Sequence, residues 1–143
     1  MRTANIRLLS NSLGVVSIIT LFNILLIYWF PVIIPFSSFS AVRLMFFVFI
    51  KKAYWLILLS LLICVLLFLT AVSVRRQQVL LPMLSLVYVV YDFVIVSSLL
   101  IDGLSDGYWK TYVIHTIVAI TFIVLLCIYC WNGLQNYLHK TDG

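Results

Sequence analysis

The sequence predicts an all-α fold: a polytopic membrane protein whose four transmembrane helices form a bundle. Three observations lead to this prediction. Four apolar runs each approach or exceed the roughly 20 residues that a transmembrane helix needs to cross about 30 Å of hydrocarbon. Hydrophobic residues make up 65% of the 143-residue chain and charged residues only 9%, and the mean hydropathy is +1.22. Such a composition leaves too little polar surface for a soluble globule. The spans are predicted to be helices because open strands cannot satisfy the hydrogen bonds of their backbone groups in lipid.

The runs form one transmembrane domain, residues 1–143, with predicted spans at residues 13–30, 53–74, 79–101 and 110–131. A tryptophan marks an end of three of the runs: Trp29 closes the first, Trp55 opens the second, and Trp109 and Trp131 flank the fourth. Indole rings prefer the headgroup region, where the ring is half buried and its N–H stays hydrated. The tryptophans therefore support the boundaries that hydropathy indicates.

The first run has two arginines before it, as a secretory signal peptide would. It is longer than the apolar core of a signal peptide, and its aromatic end suits an anchor at the membrane interface. We therefore expect a span that is retained in the mature protein.

The connection between the first two spans contains Pro31 and Pro35, which end the first helix by removing amide donors. Residues 41–50 favour a helix but are too few to span a membrane. Serines before this stretch offer N-cap oxygens: Ser37, Ser38 and Ser40. The sequence thus predicts an interfacial or re-entrant helical segment between spans 1 and 2. Extra turns at the start of the second span are the alternative.

Basic residues near helix ends predict the orientation, because they resist translocation. With a cytoplasmic N-terminus, five lie on the inner side: Arg2, Arg7, Arg75, Arg76 and Lys140. Four lie on the outer side: Arg43, Lys51, Lys52 and Lys110. The adjacent arginines in the short second loop are the strongest of these indications of orientation. We expect a multi-pass protein with both termini in the cytoplasm.

Asp92 is the only carboxylate within an apolar run, and His115 lies in the fourth run. A charge near the bilayer centre costs on the order of 3 kcal/mol, so ionisable residues at this depth indicate a candidate site. Asp92 lies about 14 Å from the Ile101 end of its span, and His115 about 9 Å from Trp109, at helical rise. Antiparallel spans would bring the two to similar depth. The candidate binding cluster comprises Asp92, His115, Tyr88, Tyr91, Tyr112 and Asn23.

Two interpretations of this cluster stay open. An aspartate that is hydrogen-bonded to tyrosine and histidine has the chemistry to carry a proton, bind a cation or recognise a small amine. Alternatively, the polar side chains only hold helices together through interhelical hydrogen bonds worth about 1 kcal/mol each. One carboxylate without a second acid or a ladder of basic residues favours the second interpretation.

The chain contains no motif for a reaction: no Walker loop, dinucleotide fingerprint, nucleophile elbow or metalloprotease helix, and no glutamate. The fourth run and its tail carry Cys127, Cys130, His115 and His139, which are too spread along one helix to surround a metal ion. We expect no metal, no cofactor and no catalysis.

The net charge of +5 is dispersed over helix ends, which fits lipid phosphates and not nucleic acid.

Small residues suggest where helices pack. Ser10 and Gly14 form a small-x-x-x-small pair at the edge of the first span, which indicates helix association. Cys127 and Cys130 are expected to pack as small apolar groups, with Cys130 as a candidate for palmitoylation. The tail at residues 132–140 is amphipathic and is expected to continue the fourth helix into the interface.

The leading functional hypothesis is a noncatalytic accessory, assembly or interaction subunit of a membrane complex or homo-oligomer. Its partners would be membrane lipids together with another protein or a second copy of the chain. The hypothesis rests on the absence of reaction motifs and on apolar surface along every span. The alternative is a small transporter or channel component that uses Asp92 and His115 to handle protons or cations.

Overall fold

The computed structural model describes residues 3–27, 29, 38, 52, 54–102 and 109–141. This part of the chain contains four helices and no strand: α1 Thr3–Leu26, α2 Trp55–Arg75, α3 Leu80–Asp102 and α4 Trp109–Thr141. All four are long and apolar enough to cross a membrane. The predicted all-α fold with four apolar helices is confirmed. The helical segment predicted at residues 41–50 lies outside the described residues.

Two helix boundaries differ from the prediction. Helix α1 begins at Thr3, ten residues before the predicted span, because its first turns are amphipathic: Leu9 is buried while Arg7 and Asn11 are exposed. Averaging over such turns lowers their hydropathy and hides their apolar face. The helix also ends at Leu26, short of the predicted residue 30. Helix α4 continues ten residues beyond residue 131, as expected for the amphipathic tail.

Consecutive helices run antiparallel. The Ser10 hydroxyl of α1 donates to the Ala71 carbonyl oxygen of α2 at 2.7 Å, and Ser17 donates to the Cys64 carbonyl oxygen at 2.9 Å. As the residue number rises along α1, that of its partner falls along α2. Helices α2 and α3 are joined near their turn by the hydroxyls of Thr70 and Ser85, which are hydrogen-bonded to each other.

The turn between α2 and α3 is a Schellman motif. The Gln78 amide donates to the Ser73 carbonyl oxygen at 2.9 Å, and the Gln77 amide donates to the Val74 carbonyl oxygen at 3.1 Å. Gln77 has a φ of 58°, the left-handed conformation that this motif requires after the helix end. The Tyr129 hydroxyl of α4 donates to the Gln78 carbonyl oxygen at 2.9 Å and so ties α4 to the turn.

Two apolar clusters fill the interior. The first joins α1 to α2 near the connection between them: Ile24, Ile27, Leu56, Ile63, Cys64 and Leu67. The second contains residues of all four helices and lies towards the α2–α3 turn: Leu9, Leu13, Ala71, Val74, Val89, Leu126, Tyr129 and Cys130. The start of α1, the α2–α3 turn and the second half of α4 therefore lie at the same end of the bundle.

The outer surface of the bundle differs from that of a soluble globule, on which large apolar side chains are less common. Such side chains cover the outer faces of all four helices. Beside the two apolar clusters, the interior also contains polar groups: Ser10, Ser17, Thr20, Asn23, Ser60, Thr70, Ser73, Ser85 and His115. Trp29, just after α1, and Trp55, at the start of α2, are exposed, and so is Trp131, which lies within α4 ten residues before its end.

Candidate functional site

A cavity of about 30 Å³ lies at the centre of the bundle, and all four helices contribute to its wall. Its polar lining consists of Tyr88, Asp92, His115 and Ser38. Apolar side chains complete it: Leu13, Val16, Leu67, Val89, Val118, Ala119 and Phe122. A volume of this size has room for about two water molecules, given the roughly 10–15 Å³ that each requires.

The helical repeat explains how α3 and α4 supply this wall. Tyr88 and Asp92 are four residues apart in α3, and His115 and Ala119 are four residues apart in α4, so each pair lies on one helix face. Because the two helices are antiparallel neighbours, both faces meet at the same height. Asp92 is half-buried. His115 is only 3% exposed, so its imidazole has little contact with anything outside the bundle.

Ser38 enters the bundle from the connection between α1 and α2. Its backbone N–H donates to Thr20 Oγ1 at 2.7 Å, and its hydroxyl is hydrogen-bonded to the Tyr88 hydroxyl. The Thr20 hydroxyl in turn donates to the Val16 carbonyl oxygen at 2.7 Å. Ser38 is 4% exposed and Thr20 is fully buried. Ser38 is therefore inserted between α1 and α3, where it lines one side of the cavity.

The structure places three of the six predicted cluster residues on this cavity, namely Tyr88, Asp92 and His115. Asn23 is fully buried in α1, and Tyr112 is half-buried one turn before His115. Each of these five residues takes part in a polar, ionic or ring interaction. Tyr91 is different, because its side chain is 58% exposed on the outer face of α3.

The polar groups that line the cavity have side chains that can exchange protons or contact a cation. A carboxylate, an imidazole and two hydroxyls share one small space at the depth of the predicted spans. Imidazole can gain or lose a proton near neutral pH, and the hydroxyls can both donate and accept hydrogen bonds. Such a set can pass a proton through one or two water molecules, or hold a small cation against the carboxylate.

Among the described residues, no group of three or more His, Cys, Asp and Glu side chains is arranged to hold a metal ion. The three cysteines are free. Cys127 is exposed, whereas Cys130 is buried within the second apolar cluster. The expectation that Cys130 is a site for palmitoylation is therefore wrong for this conformation, because its thiol is covered by neighbouring helices.

The role expected for Ser10 and Gly14 also needs correction. Ser10 is hydrogen-bonded to α2, and a methyl group placed on Gly14 would lie 4.0 Å from Ala71 Cβ. The pair therefore packs α1 onto α2 within the chain and does not present a free association surface.

Sequence reasoning missed Thr20 and Ser38. Thr20 lies three residues before Asn23, so the two share a face of α1, and this spacing was a usable signal. Ser38 carries no such signal, because three serines occur within four residues of the connection and nothing in the sequence distinguishes the one that bonds to Tyr88. Comparisons of the chain with protein-family models, with curated proteins and with solved structures find no match.

Proposed function

We propose that this chain is an integral, multi-pass membrane protein that acts as a noncatalytic interaction subunit, either of a larger membrane complex or of a homo-oligomer. The apolar outer faces support the membrane environment, because lipid solvates them while interior hydroxyls join the helices. A carbonate wash at alkaline pH should leave the chain in the membrane pellet. Its release into the supernatant would contradict the proposal.

Both termini are proposed to be cytoplasmic. The start of α1 and the α2–α3 turn lie at one end of the bundle, where Arg7, Arg75 and Arg76 are exposed. Arginines at one end favour the cytoplasmic side and its anionic lipids. Ser105→Cys, in the loop between α3 and α4, should react in intact cells with an impermeant maleimide. Gln77→Cys should react only after the membrane is opened.

The observation that carries the interaction role is the unequal burial of the helices. In the most hydrophobic window of α3 only 17% of the residues are buried within the chain, compared with 44% for α2. Helix α3 therefore contributes few fully buried residues to its own bundle, and its exposed residues are available to a neighbour. Lipid alone can cover such a face, so a direct test is needed.

The test is photo-crosslinking in native membranes. A benzophenone amino acid at Val87, which is 70% exposed on α3, should form a discrete adduct with a neighbouring protein. The same amino acid at Leu58, which is 70% exposed on α2, is the matched control and should react only with lipid. No protein adduct at Val87, combined with a monomer after gentle extraction, would overturn the interaction role.

A second candidate function is a small transporter or channel component, and the cavity favours it, because Asp92 and His115 share a wall with room for water. The test is proton and cation flux into proteoliposomes. Transport at this site predicts flux in the wild type that Asp92→Asn abolishes, while Asp142→Asn, outside the spans, leaves it unchanged. Equal background leakage in all three would exclude this function.

A further inference from the structure

Seven of the exposed residues of α3 form a stripe along the helix, and Met83 and Val90 are exposed beside it. Its members alternate at spacings of four and three residues, and all are exposed: Leu80, Leu84, Val87, Tyr91, Val94, Ser98 and Ile101. This is the heptad spacing with which two helices pack along a shared seam. We call this set the α3 stripe. It runs the whole length of the apolar part of α3, from Leu80 to Ile101.

Tyr91 stands at the middle of the α3 stripe. It lies about 16 Å from Leu80 and about 15 Å from Ile101 at helical rise, so its hydroxyl cannot reach either interface. The side chain is 58% exposed, and its hydroxyl makes no hydrogen bond with any residue that the structure describes. Hydrocarbon offers neither donor nor acceptor, so a phenol in this position is costly unless another protein pairs with it.

Two other exposed hydroxyls, one on α3 and one on α4, do not need a partner from another chain. Ser98 donates to the Val94 carbonyl oxygen of its own helix at 2.8 Å, and Thr121 donates to the Ile117 carbonyl oxygen at 2.9 Å. Tyrosine cannot make such a bond, because its hydroxyl lies too far from its own backbone. Of these three exposed hydroxyls, only that of Tyr91 lacks a hydrogen bond among the described residues; on the buried side of α3, Ser97 Oγ also has none.

We propose that the α3 stripe is a homodimer interface in which a second copy of the chain pairs in parallel, with the two Tyr91 hydroxyls hydrogen-bonded to each other. This deepens the proposed function and rests on it. Copies in one membrane share an orientation, so a two-fold axis runs along the membrane normal and places each stripe residue opposite its own counterpart. A phenol hydroxyl both donates and accepts, so it is complementary to itself.

The remaining stripe residues fit this arrangement. Leucine, valine and isoleucine on both sides of Tyr91 supply apolar packing at every level, and Ser98 is small enough to let the backbones approach. One polar residue at a seam position fixes the register of a parallel pair. A different protein would need a hydroxyl or amide at the same depth on a matching face. A second copy has one by symmetry.

Disulfide crosslinking tests the pairing directly. In purified protein reconstituted into phosphatidylcholine vesicles, with the three native cysteines replaced by alanine, Val94→Cys and Val87→Cys should each form dimers on oxidation. Val65→Cys is the matched control, because Val65 is 55% exposed on α2 and Val94 is 54% exposed on α3. Dimers at the α3 positions and none at Val65 support the proposal.

A second measurement leaves the native cysteines in place. Energy transfer between donor- and acceptor-labelled copies in the same vesicles should show that Tyr91→Phe weakens dimerisation about three- to fifteen-fold, the range of interhelical hydrogen bonds in membranes. Tyr137→Phe, at an exposed tyrosine beyond the predicted span, should leave the dimer unchanged. Equal dimerisation of Tyr91→Phe and the wild type would overturn the tyrosine pairing.

The outcomes separate this inference from the proposed function. If Val87 forms a protein adduct in native membranes but Val87→Cys and Val94→Cys form no dimer in vesicles, the partner is another protein and the homodimer is wrong. If Val65→Cys crosslinks as strongly as Val94→Cys, the dimer arises from random collision and the inference also falls. If no protein adduct forms in native membranes and no disulfide dimer forms in vesicles, both the homodimer and the interaction role are wrong.

Discussion

The Ser17 hydroxyl donates a 2.9 Å hydrogen bond to the Cys64 carbonyl oxygen, across the interface between α1 and α2. Ser10, seven residues earlier, donates in the same way to Ala71, seven residues after Cys64. The equal spacing on both helices means that one antiparallel register satisfies both bonds, about 10 Å apart along the helix. Sliding α1 by one residue would break both, so the two serines define the register of this helix pair.

The first prediction concerns this register. Ser17→Ala should lower the free energy of unfolding by about 0.6 kcal/mol, the average for interhelical hydrogen bonds in membranes, and Ser10→Ala should do the same. The two effects should add, because the sites are well separated. Thermal unfolding in detergent micelles, followed by circular dichroism, measures them.

Ser12→Ala is the control for the first prediction. Its hydroxyl donates to the Leu8 carbonyl oxygen of its own helix at 2.8 Å, so its removal should change little. If Ser12→Ala destabilises the bundle as much as Ser17→Ala does, the interhelical bonds contribute nothing beyond a general effect of losing a serine.

The second prediction concerns the close approach of α4 to the start of α3. A methyl group placed on Gly133 would lie 2.5 Å from Val79 Cγ2. Gly133→Ala should therefore lower the stability by about 1 kcal/mol, because overpacking, at roughly 1–3 kcal/mol, outweighs the gain in helix propensity of about 1 kcal/mol.

A double-mutant cycle isolates this contact. In a Val79→Ala background the methyl group has space, so Gly133→Ala should become neutral or stabilising by up to about 1 kcal/mol. Thermal unfolding of the four proteins gives the coupling. The same loss in both backgrounds would mean that Gly133 is required for a reason other than its contact with Val79.

Much of the fold could be predicted from the sequence, because lipid imposes a simple requirement on composition. Long apolar runs had to be helices, and the short connections from α2 to α3 and from α3 to α4 had to make those neighbours antiparallel. The start of α1 could not be predicted this way, because Leu9 is buried by contact with other helices while Arg7 on the opposite face lowers the local hydropathy. Tertiary burial of one face decides such a boundary, and hydropathy averages over all faces.

The candidate cavity was partly predictable for a related reason. Ionisable residues in apolar runs are so costly that the positions of Asp92 and His115 along the chain already indicate an interior site. The direction of Tyr91 could not be inferred in the same way, because adjacent residues of a helix lie about 100° apart and both were polar. In the structure Asp92 lies on the interior face of α3 and Tyr91 lies on the outer surface. The position of Ser38 could not be predicted either, because the sequence of the connection between α1 and α2 has no periodicity that indicates which residue contacts a helix.

The third prediction concerns the turn between α2 and α3. Gln77 adopts a φ of 58°, which is costly for a residue with a side chain and free for glycine. Gln77→Gly should therefore raise the stability by about 0.5–1 kcal/mol, and Gln77→Val should lower it by about 1 kcal/mol, because a β-branched side chain is least tolerated there.

Gln78 is the matched control, since it is the same residue type one position later and does not have a positive φ. Gln78→Gly should be neutral or destabilising by up to about 1 kcal/mol, because glycine only adds entropy to the unfolded chain. Thermal unfolding in micelles compares the three variants. A gain from glycine at both positions would show that the left-handed conformation is not what limits the stability of the turn.

The fourth prediction concerns the insertion of Ser38 beside the cavity. Its backbone N–H donates to Thr20 Oγ1 at 2.7 Å in a buried setting, so this amide should exchange slowly with deuterium. Thr20→Val keeps the shape of the side chain but removes the acceptor. The buried N–H is then left unsatisfied at a cost of about 1–3 kcal/mol, and the exchange protection of Ser38 should fall by roughly one to two orders of magnitude.

Two variants decide what such a loss of protection means. Thr20→Ser keeps the acceptor and should restore most of the protection, whereas Thr121→Val removes an exposed hydroxyl that bonds only to its own helix and should leave Ser38 unchanged. Residue-resolved hydrogen exchange by NMR in micelles measures the exchange rate of the Ser38 amide directly. Fast exchange of Ser38 already in the wild type would mean that the connection does not close the cavity, and Asp92 and His115 would then face a space open to water through that side.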